Sequence, residues 1–149
     1  MMRRTLLPLI LIALHAVGCK EQPTGTAPTT LTEAKERWAS SGITDYELDR
    51  RVVCYCIGAE DTVRCRIERD SAVSIINLTT GEAVEIKRRT PATVQDLFDI
   101  VEKAQDEAHM LNVTYDATYG YPREINIDWS NTIADDEIFY HTIRLQPHF

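Results

Sequence analysis

The residues with the greatest capacity for covalent or metal chemistry in this sequence are its four cysteines. Cys54 and Cys56 share one face of a predicted strand, and Cys65 lies in the next strand. If Cys56 pairs opposite Val63, Cys54 faces Cys65 and the two can form a disulfide, whereas a shifted register joins Cys56 to Cys65. A structural disulfide that uses Cys65 is the favoured interpretation. Three reduced, buried thiols, or a metal or redox site, are the alternatives.

A second group of chemically capable residues forms an acidic loop near the C-terminus. Its oxygen-bearing side chains are of the kind that binds Ca²⁺, and they are Asp128, Asn131, Asp135, Asp136 and Glu137. The loop lacks the central glycine of an EF-hand loop. Asp and Asn side chains also commonly cap the backbone amides of their own turns, which is the favoured role here. The sequence therefore predicts no metal and no cofactor, with a cation site or a partner-binding loop as alternatives.

Between the last strands lies an aromatic corner, Tyr119-Gly120-Tyr121-Pro122. Gly120 can adopt a positive φ, and Pro122 sets the direction in which the chain leaves the corner. Tyr119 and Tyr121 are expected to pack at the end of the sheet. The alternative is that they are exposed and form a protein- or glycan-binding surface, together with the last three acidic residues of the loop, because aromatic residues dominate binding hot spots.

Signatures of catalysis are missing from the sequence. It contains no nucleophile elbow, phosphate-binding loop or paired Ser/His motif. His109, His141 and His148 do not have the spacing of metal ligands. The sequence therefore favours a non-enzymatic protein, and an enzyme with a cryptic site is the alternative.

The N-terminal segment has the features of an export signal. Arg3 and Arg4 precede an apolar run from Leu6 to Val17, which at about twelve residues is too short to span ~30 Å of hydrocarbon. A short apolar run with a basic flank is typical of a signal peptide. We therefore expect residues 1–18 to be removed from the mature protein.

The end of this segment, Ala16-Val17-Gly18-Cys19, resembles the bacterial lipobox, in which the cysteine is acylated and becomes the new N-terminus. Ala16 stands where Leu is usual. Lys20 stands where an inner-membrane retention signal usually has Asp, so the resemblance implies the periplasmic side of the outer membrane. An unmodified Cys19 behind a plain secretory signal, or an uncleaved anchor, are the alternatives. Residues 19–30 are rich in Pro, Gly and Thr, which predicts a flexible tether.

Charge narrows the set of partners. The formal net charge is −7, and removal of Arg3 and Arg4 with the leader would make it −7 − 2 = −9. Nucleic-acid binding requires a basic stripe, so we expect no nucleic-acid partner. We expect contact with the membrane through the lipid anchor, and with another envelope protein or a glycan through the domain.

Helix and strand signals in residues 31–149 predict a single domain. A capping box at Thr30 starts a helix that ends near Gly42, and Thr93 caps a second, amphipathic helix. Alternating runs predict several strands after each helix. The predicted fold is α+β, with one antiparallel sheet and both helices on one face. Its order of helix, strands, helix and strands is similar to cystatin-like and β-lactamase-inhibitor-like shapes. Trp38 is expected to pin the first helix to the core, and a ligand platform is the alternative.

Several short segments together resemble an uncharacterised family of bacterial lipoproteins and secreted proteins. The aromatic corner, followed by the acidic Asp135-Asp136-Glu137, carries the most specific part of the resemblance. The other segments are Arg37-Trp38, Gly42 to Tyr46, Cys54-Tyr55-Cys56, Thr93 to Phe98, Val113 to Asp116 and Ile127-Asp128. The resemblance implies an exported α+β domain and leaves its activity open. The sequence thus predicts a lipid-anchored envelope protein that binds another envelope component, with a divalent-cation-binding module as the alternative.

Overall fold

The computed structural model describes residues 25–55, 61–86 and 91–149. These ranges contain two helices and six strands in one sheet, in the predicted order. The elements are α1 (Leu31–Ser41), β1 (Tyr46–Cys54), β2 (Thr62–Glu68), β3 (Ser71–Asn77), α2 (Val94–Glu107), β4 (Met110–Tyr115), β5 (Pro122–Asp128) and β6 (Ile138–Pro147). The α+β prediction is therefore confirmed. Residues 1–24, with the predicted leader, Cys19 and most of the tether, lie outside the described ranges.

Both helices begin at the capping boxes that the sequence predicts. The Thr30 hydroxyl accepts a hydrogen bond from the Glu33 amide, and the Glu33 carboxylate accepts one from the Thr30 amide. Thr93 and Asp96 form the same reciprocal pair at the start of α2. Such pairs satisfy amides that have no partner inside the helix. At its other end α1 stops at Gly42, which has a φ of 65° in the left-handed region.

The sheet consists of two three-stranded meanders joined by the first and last strands. Its order is β3-β2-β1-β6-β5-β4, and every neighbouring pair is antiparallel. Each meander follows one helix in the chain, so the described elements form two consecutive units of one helix and three strands. The segment after β3 adds an isolated bridge between Ala83 and Ile76 at that edge.

The core lies between one face of the sheet and the two helices. Alternation along the strands points Tyr46, Leu48, Ile125 and Ile127 toward the helices, and all four are buried. The apolar stripe of α2 packs against them, and it consists of Val94, Leu97, Phe98, Val101 and Ala104. No helix in the described ranges is long and apolar enough to cross a membrane.

The opposite face of the sheet carries an ion-pair cluster centred on Asp49, which is only 6% exposed. Arg64 on β2 donates two hydrogen bonds to the Asp49 carboxylate, at 2.7 and 2.9 Å. Arg144 on β6 contacts Asp49 from the other side at 3.0 Å, and it also contacts Glu47 at 3.0 Å. The Arg64 hydrogen bonds, followed by those of Arg144, lower the pKa of Asp49. The cluster therefore joins three adjacent strands across the middle of the sheet.

We predict that Asp49→Asn destabilises the protein at neutral pH by about 2 kcal/mol, because two guanidinium groups lose their charged partner. A carboxyl group whose pKa is lowered by folding stabilises the protein above its unfolded pKa near ~4. That contribution disappears as the pH falls through the folded pKa. The difference in the free energy of unfolding between wild type and Asp49→Asn should therefore shrink as the pH falls from about 6 to 2.

Urea denaturation at a series of pH values measures this difference. Asp106→Asn is the matched control, because Asp106 is exposed on α2 and its loss should cost little at any pH. A stability gap that stays constant across the acidic range for Asp49→Asn would contradict the ion-pair assignment.

Candidate functional site

A pocket of about 390 Å³ opens where the end of α1, the start of α2 and the β2–β3 turn meet. This volume lies within the range of ~300–1,000 Å³ that is typical of small-molecule sites. The residues that line it combine aromatic, aliphatic and polar side chains, and they are Trp38, Ala39, Gly42, Ile43, Thr44, Tyr46, Asp70, Thr93 and Gln95. The pocket is the candidate functional site.

Two aromatic residues, Trp38 and Tyr46, line the pocket. Trp38 makes edge-to-face contacts with Tyr46, at 5.5 Å between ring centroids, and with Tyr121, at 6.4 Å. The Tyr46 side chain is buried, and its hydroxyl accepts a hydrogen bond from the Val94 amide at 2.9 Å. Burial raises the pKa of Tyr46 far above its usual value, so the phenol stays neutral. Trp38 is only partly buried, so it both anchors α1 and presents a surface to the pocket.

The turn between β2 and β3 brings a carboxylate to the pocket. Arg69 and Asp70 both have positive φ values, of 50° and 59°, the backbone geometry of a two-residue hairpin turn. The Asp70 amide donates to the Thr44 carbonyl at 2.9 Å, which holds the turn against the segment after α1. Asp70 is close enough to Tyr46 to contribute to its raised pKa. Among the described lining residues, Asp70 is the only one with a charged side chain.

Most amides at the start of α2 are hydrogen-bonded within the protein. The Asp96 carboxylate accepts from the amides of Ala92 and Thr93, both at 2.8 Å. The Asp96 amide donates to the Thr93 hydroxyl, and the Val94 amide donates to Tyr46. These internal hydrogen bonds use four of the amides that could otherwise attract an anion to a helix N-terminus. The electrostatic character of the pocket is therefore set mainly by Asp70.

The aromatic corner packs against α1. Tyr121 is only 8% exposed, and burial raises its pKa to about 12. Gly120 has a φ of 81°, and a Cβ atom there would lie 2.6 Å from the Ala34 carbonyl oxygen. Arg37 donates to the Ala117 carbonyl at 2.6 Å, which adds a polar contact between the corner and the helix. Tyr121 is thus a core residue, and the alternative in which it forms an exposed binding surface is wrong.

The acidic loop lies at the other end of β5 from the corner. The seven residues of β5 separate the two by roughly 20 Å at ~3.3 Å per residue. Tyr119 and Tyr121 therefore do not meet the predicted partner-binding residues Asp135, Asp136 and Glu137. The physical reason is that β5 is an extended strand, which keeps the corner at one end apart from the acidic loop at the other.

One carboxylate of the acidic loop caps the local backbone. The Asp128 carboxylate accepts from the Ser130 amide at 3.1 Å, as the turn-capping interpretation predicts. Asp135 has a φ of 64°, in the left-handed region that Asp tolerates better than most residues. Asp128, Asn131, Asp135, Asp136 and Glu137 all lie in the described ranges. In those ranges, no group of three or more His, Cys, Asp or Glu side chains is arranged to hold a metal ion.

The cysteine prediction needs correction. Cys65 is a free, buried thiol, and burial raises its pKa. The register of the β1–β2 hairpin places Leu48 opposite Cys65, whereas Cys54 is paired with Ile138 on β6. The predicted disulfide through Cys65 is therefore wrong, because Cys54 lies six residues beyond Leu48, roughly 20 Å along the strand. Cys54 is disulfide-bonded, and Cys56 lies outside the described ranges.

Sequence reasoning considered Trp38 as a ligand platform but missed the rest of the pocket. Arg69 and Asp70 were recognisable as a turn, and Thr93 as a helix cap. Nothing local in the sequence indicates that this turn and this cap meet beside Trp38. Their proximity depends on how the two helices lie across the sheet.

The region that matches a known protein family has the same extent as the folded domain. One family model matches residues 30–147, from the cap of α1 to the end of β6. The chain belongs to DUF6174, a family of unknown function. No curated protein and no solved structure matches the chain. The DUF6174 match therefore confirms that the chain is a member of a family of unknown function, and the lipoprotein assignment stays a prediction.

We predict that Gly120→Ala destabilises the fold by roughly 2–4 kcal/mol. The substitution adds left-handed backbone strain, about 1 kcal/mol, to an overlap with the α1 backbone. Gly81→Ala is the matched control, because Gly81 has a φ of 75° and nothing within 4 Å of its added Cβ. Urea denaturation should show a clearly smaller loss for Gly81→Ala. Equal losses would mean that the corner does not depend on close contact with α1.

Proposed function

We propose that this DUF6174 protein is a lipid-anchored cell-envelope protein whose domain binds a chemical group of another envelope component in the Trp38 pocket. The observation that carries the binding part is the pocket itself. An accessible aromatic wall, a carboxylate and polar rim groups converge in a cavity of small-ligand size.

The anchoring part of the proposal is supported by the sequence. Cys19 follows a short apolar segment in a lipobox-like context, and about eleven polar residues separate it from the cap of α1 at Thr30. An extended segment of that length reaches roughly 34 Å. A domain on such a tether stands clear of the lipid headgroups, with its pocket accessible to neighbouring envelope molecules. Lys20 after the cysteine supports the periplasmic side of the outer membrane over the inner membrane.

The arrangement of the polar groups that line the pocket supports a role in ligand binding. Asp70 is exposed, and its side chain has no ion pair within the described ranges. It is held beside the pocket by a backbone hydrogen bond in a conformation that non-glycine residues rarely adopt. The other end of the pocket, at Thr93 and Gln95, adds a hydroxyl and an amide. A partner group that fills the cavity can therefore make both apolar and polar contacts.

We predict that Cys19→Ala abolishes lipid attachment in the native host, because only the cysteine thiol can accept the acyl glycerol. Intact-mass spectrometry of the wild-type protein should show loss of residues 1–18 and an added diacyl or triacyl mass. The variant should lack that mass and leave the membrane fraction. Cys65→Ala is the control, because Cys65 is buried in the domain. A wild-type protein that begins at Met1 without acyl mass would overturn the anchoring proposal.

We predict that ligand binding is lost when the pocket is filled. Ala39 lines the pocket from an exposed position on α1, so Ala39→Trp should obstruct it. Ser40 is the next residue, is exposed and does not line the pocket, which makes Ser40→Trp the matched control. Saturation-transfer NMR on the purified protein, with a mixture of neutral, cationic and anionic fragments, measures binding. Fragments should bind the wild type and Ser40→Trp but not Ala39→Trp.

Two outcomes of this screen would overturn the binding proposal. One is the absence of hits from every fragment class. The other is a set of hits that persists unchanged in Ala39→Trp, which would place binding elsewhere on the protein.

A further inference from the structure

We infer that the Trp38 pocket takes an organic ammonium group carried on a small apolar body. This inference rests on the proposed binding function and adds the chemical class of the ligand. It follows from the charge of the lining residues, the aromatic surface next to that charge and the state of the nearby helix N-terminus.

The charge of the pocket disfavours an anion. Asp70 is the only described lining residue with a charged side chain, and the chain as a whole carries −7. Helix-start amides are the usual donors to a bound anion, and four amides at the start of α2, those of Ala92, Thr93, Val94 and Asp96, already donate to Asp96, Tyr46 and Thr93. A cation placed in the pocket meets a carboxylate, whereas an anion meets that same carboxylate and no positively charged side chain among the described lining residues.

The aromatic surface favours a cation with apolar substituents. An ammonium group within ~6 Å of a Trp ring is attracted to the face of the ring, and Trp is the strongest of the aromatic residues in this respect. Trp38 is held at a defined angle by edge-to-face contacts with Tyr46 and Tyr121. Ile43 and Ala39 add apolar surface, which suits methyl or methylene groups next to the charged nitrogen. A fully hydrated metal ion would gain nothing from these contacts.

Two sources can supply such a group, a small quaternary amine and the side chain of a lysine in a partner protein. Both place an ammonium on an apolar stem of a size that a cavity of about 390 Å³ accommodates. The shared chemistry is the charged nitrogen, so the test compares each source with a neutral compound of the same shape.

The test measures the binding of choline and of Nα-acetyl-lysine amide to the purified full-length protein. Binding is detected by the change in tryptophan fluorescence or by NMR. Each is paired with a neutral counterpart. The counterpart of choline is 3,3-dimethylbutan-1-ol, in which carbon replaces the charged nitrogen, and that of the lysine derivative is Nα-acetyl-norleucine amide. At least one ammonium compound should bind about tenfold more tightly than its counterpart. That preference should weaken as the salt concentration rises.

Asp70→Asn should reduce the affinity for the ammonium compound roughly fivefold and leave the affinity for the neutral counterpart unchanged. Asn tolerates the positive φ that Asp70 adopts, so the turn should keep its geometry. Asp135→Asn is the matched control, because Asp135 is also exposed and also has a positive φ, of 64°. It should not change either affinity.

The outcomes separate this inference from the proposed function. Equal binding of the charged and neutral members of both pairs, with no effect of Asp70→Asn, overturns the ammonium assignment and leaves the pocket as a binding site. Failure of both pairs to bind overturns the ammonium assignment, and the fragment screen with Ala39→Trp then decides whether the pocket binds another class. A preference for choline or for the lysine derivative identifies the source.

Discussion

The antiparallel pairing of the first strand with the last strand holds this fold together. β1 and β6 pair along the whole length of β1, from Tyr46 to Cys54. The two strands are far apart in the chain, since the contact between Arg144 and Asp49 joins residues 95 positions apart. All the other strand pairs are neighbours in sequence and close short loops. The long-range pair carries the largest cost in chain entropy, and once formed it places both meanders in one sheet. The Asp49 cluster then links β2, β1 and β6 on the face away from the helices.

The close contact between α1 and the aromatic corner is the second determinant of the architecture. Because Gly120 has no side chain, the corner backbone can approach the Ala34 carbonyl. Trp38 contacts Tyr121 of the corner and also Tyr46 of β1, in both cases with the rings nearly perpendicular. The hydrogen bond from the Val94 amide to Tyr46 connects the same aromatic group to the start of α2. The pocket lies beside Trp38 and Tyr46, where the end of α1, the start of α2 and the β2–β3 turn meet.

The helices and strands could be predicted from the sequence, whereas the contacts between segments distant in the chain could not. Capping boxes at Thr30 and Thr93 are read from three or four consecutive residues, and the structure places helix starts at both. The strands could also be predicted, because the alternation of apolar and polar residues is likewise a pattern of consecutive residues. The cysteines show the limit of this reasoning, because alternation allows several hairpin registers. The observed register sets Leu48 rather than Cys54 opposite Cys65, so the predicted pairing was wrong.

The sequence by itself determined the helix boundaries, the strand order along the chain and the α+β class, because capping, alternation and turn residues act over a few positions. The proposed export and acylation signal at Cys19 is also a prediction from the sequence alone, since such a signal is a linear segment. Only the tertiary structure decided that Tyr121 is buried, that the acidic loop lies far from the corner, and that Asp70 stands beside Trp38. Those results depend on which distant strands pair and on how closely α1 approaches the corner. Packing and the Gly120 backbone control these features, and no local pattern encodes them.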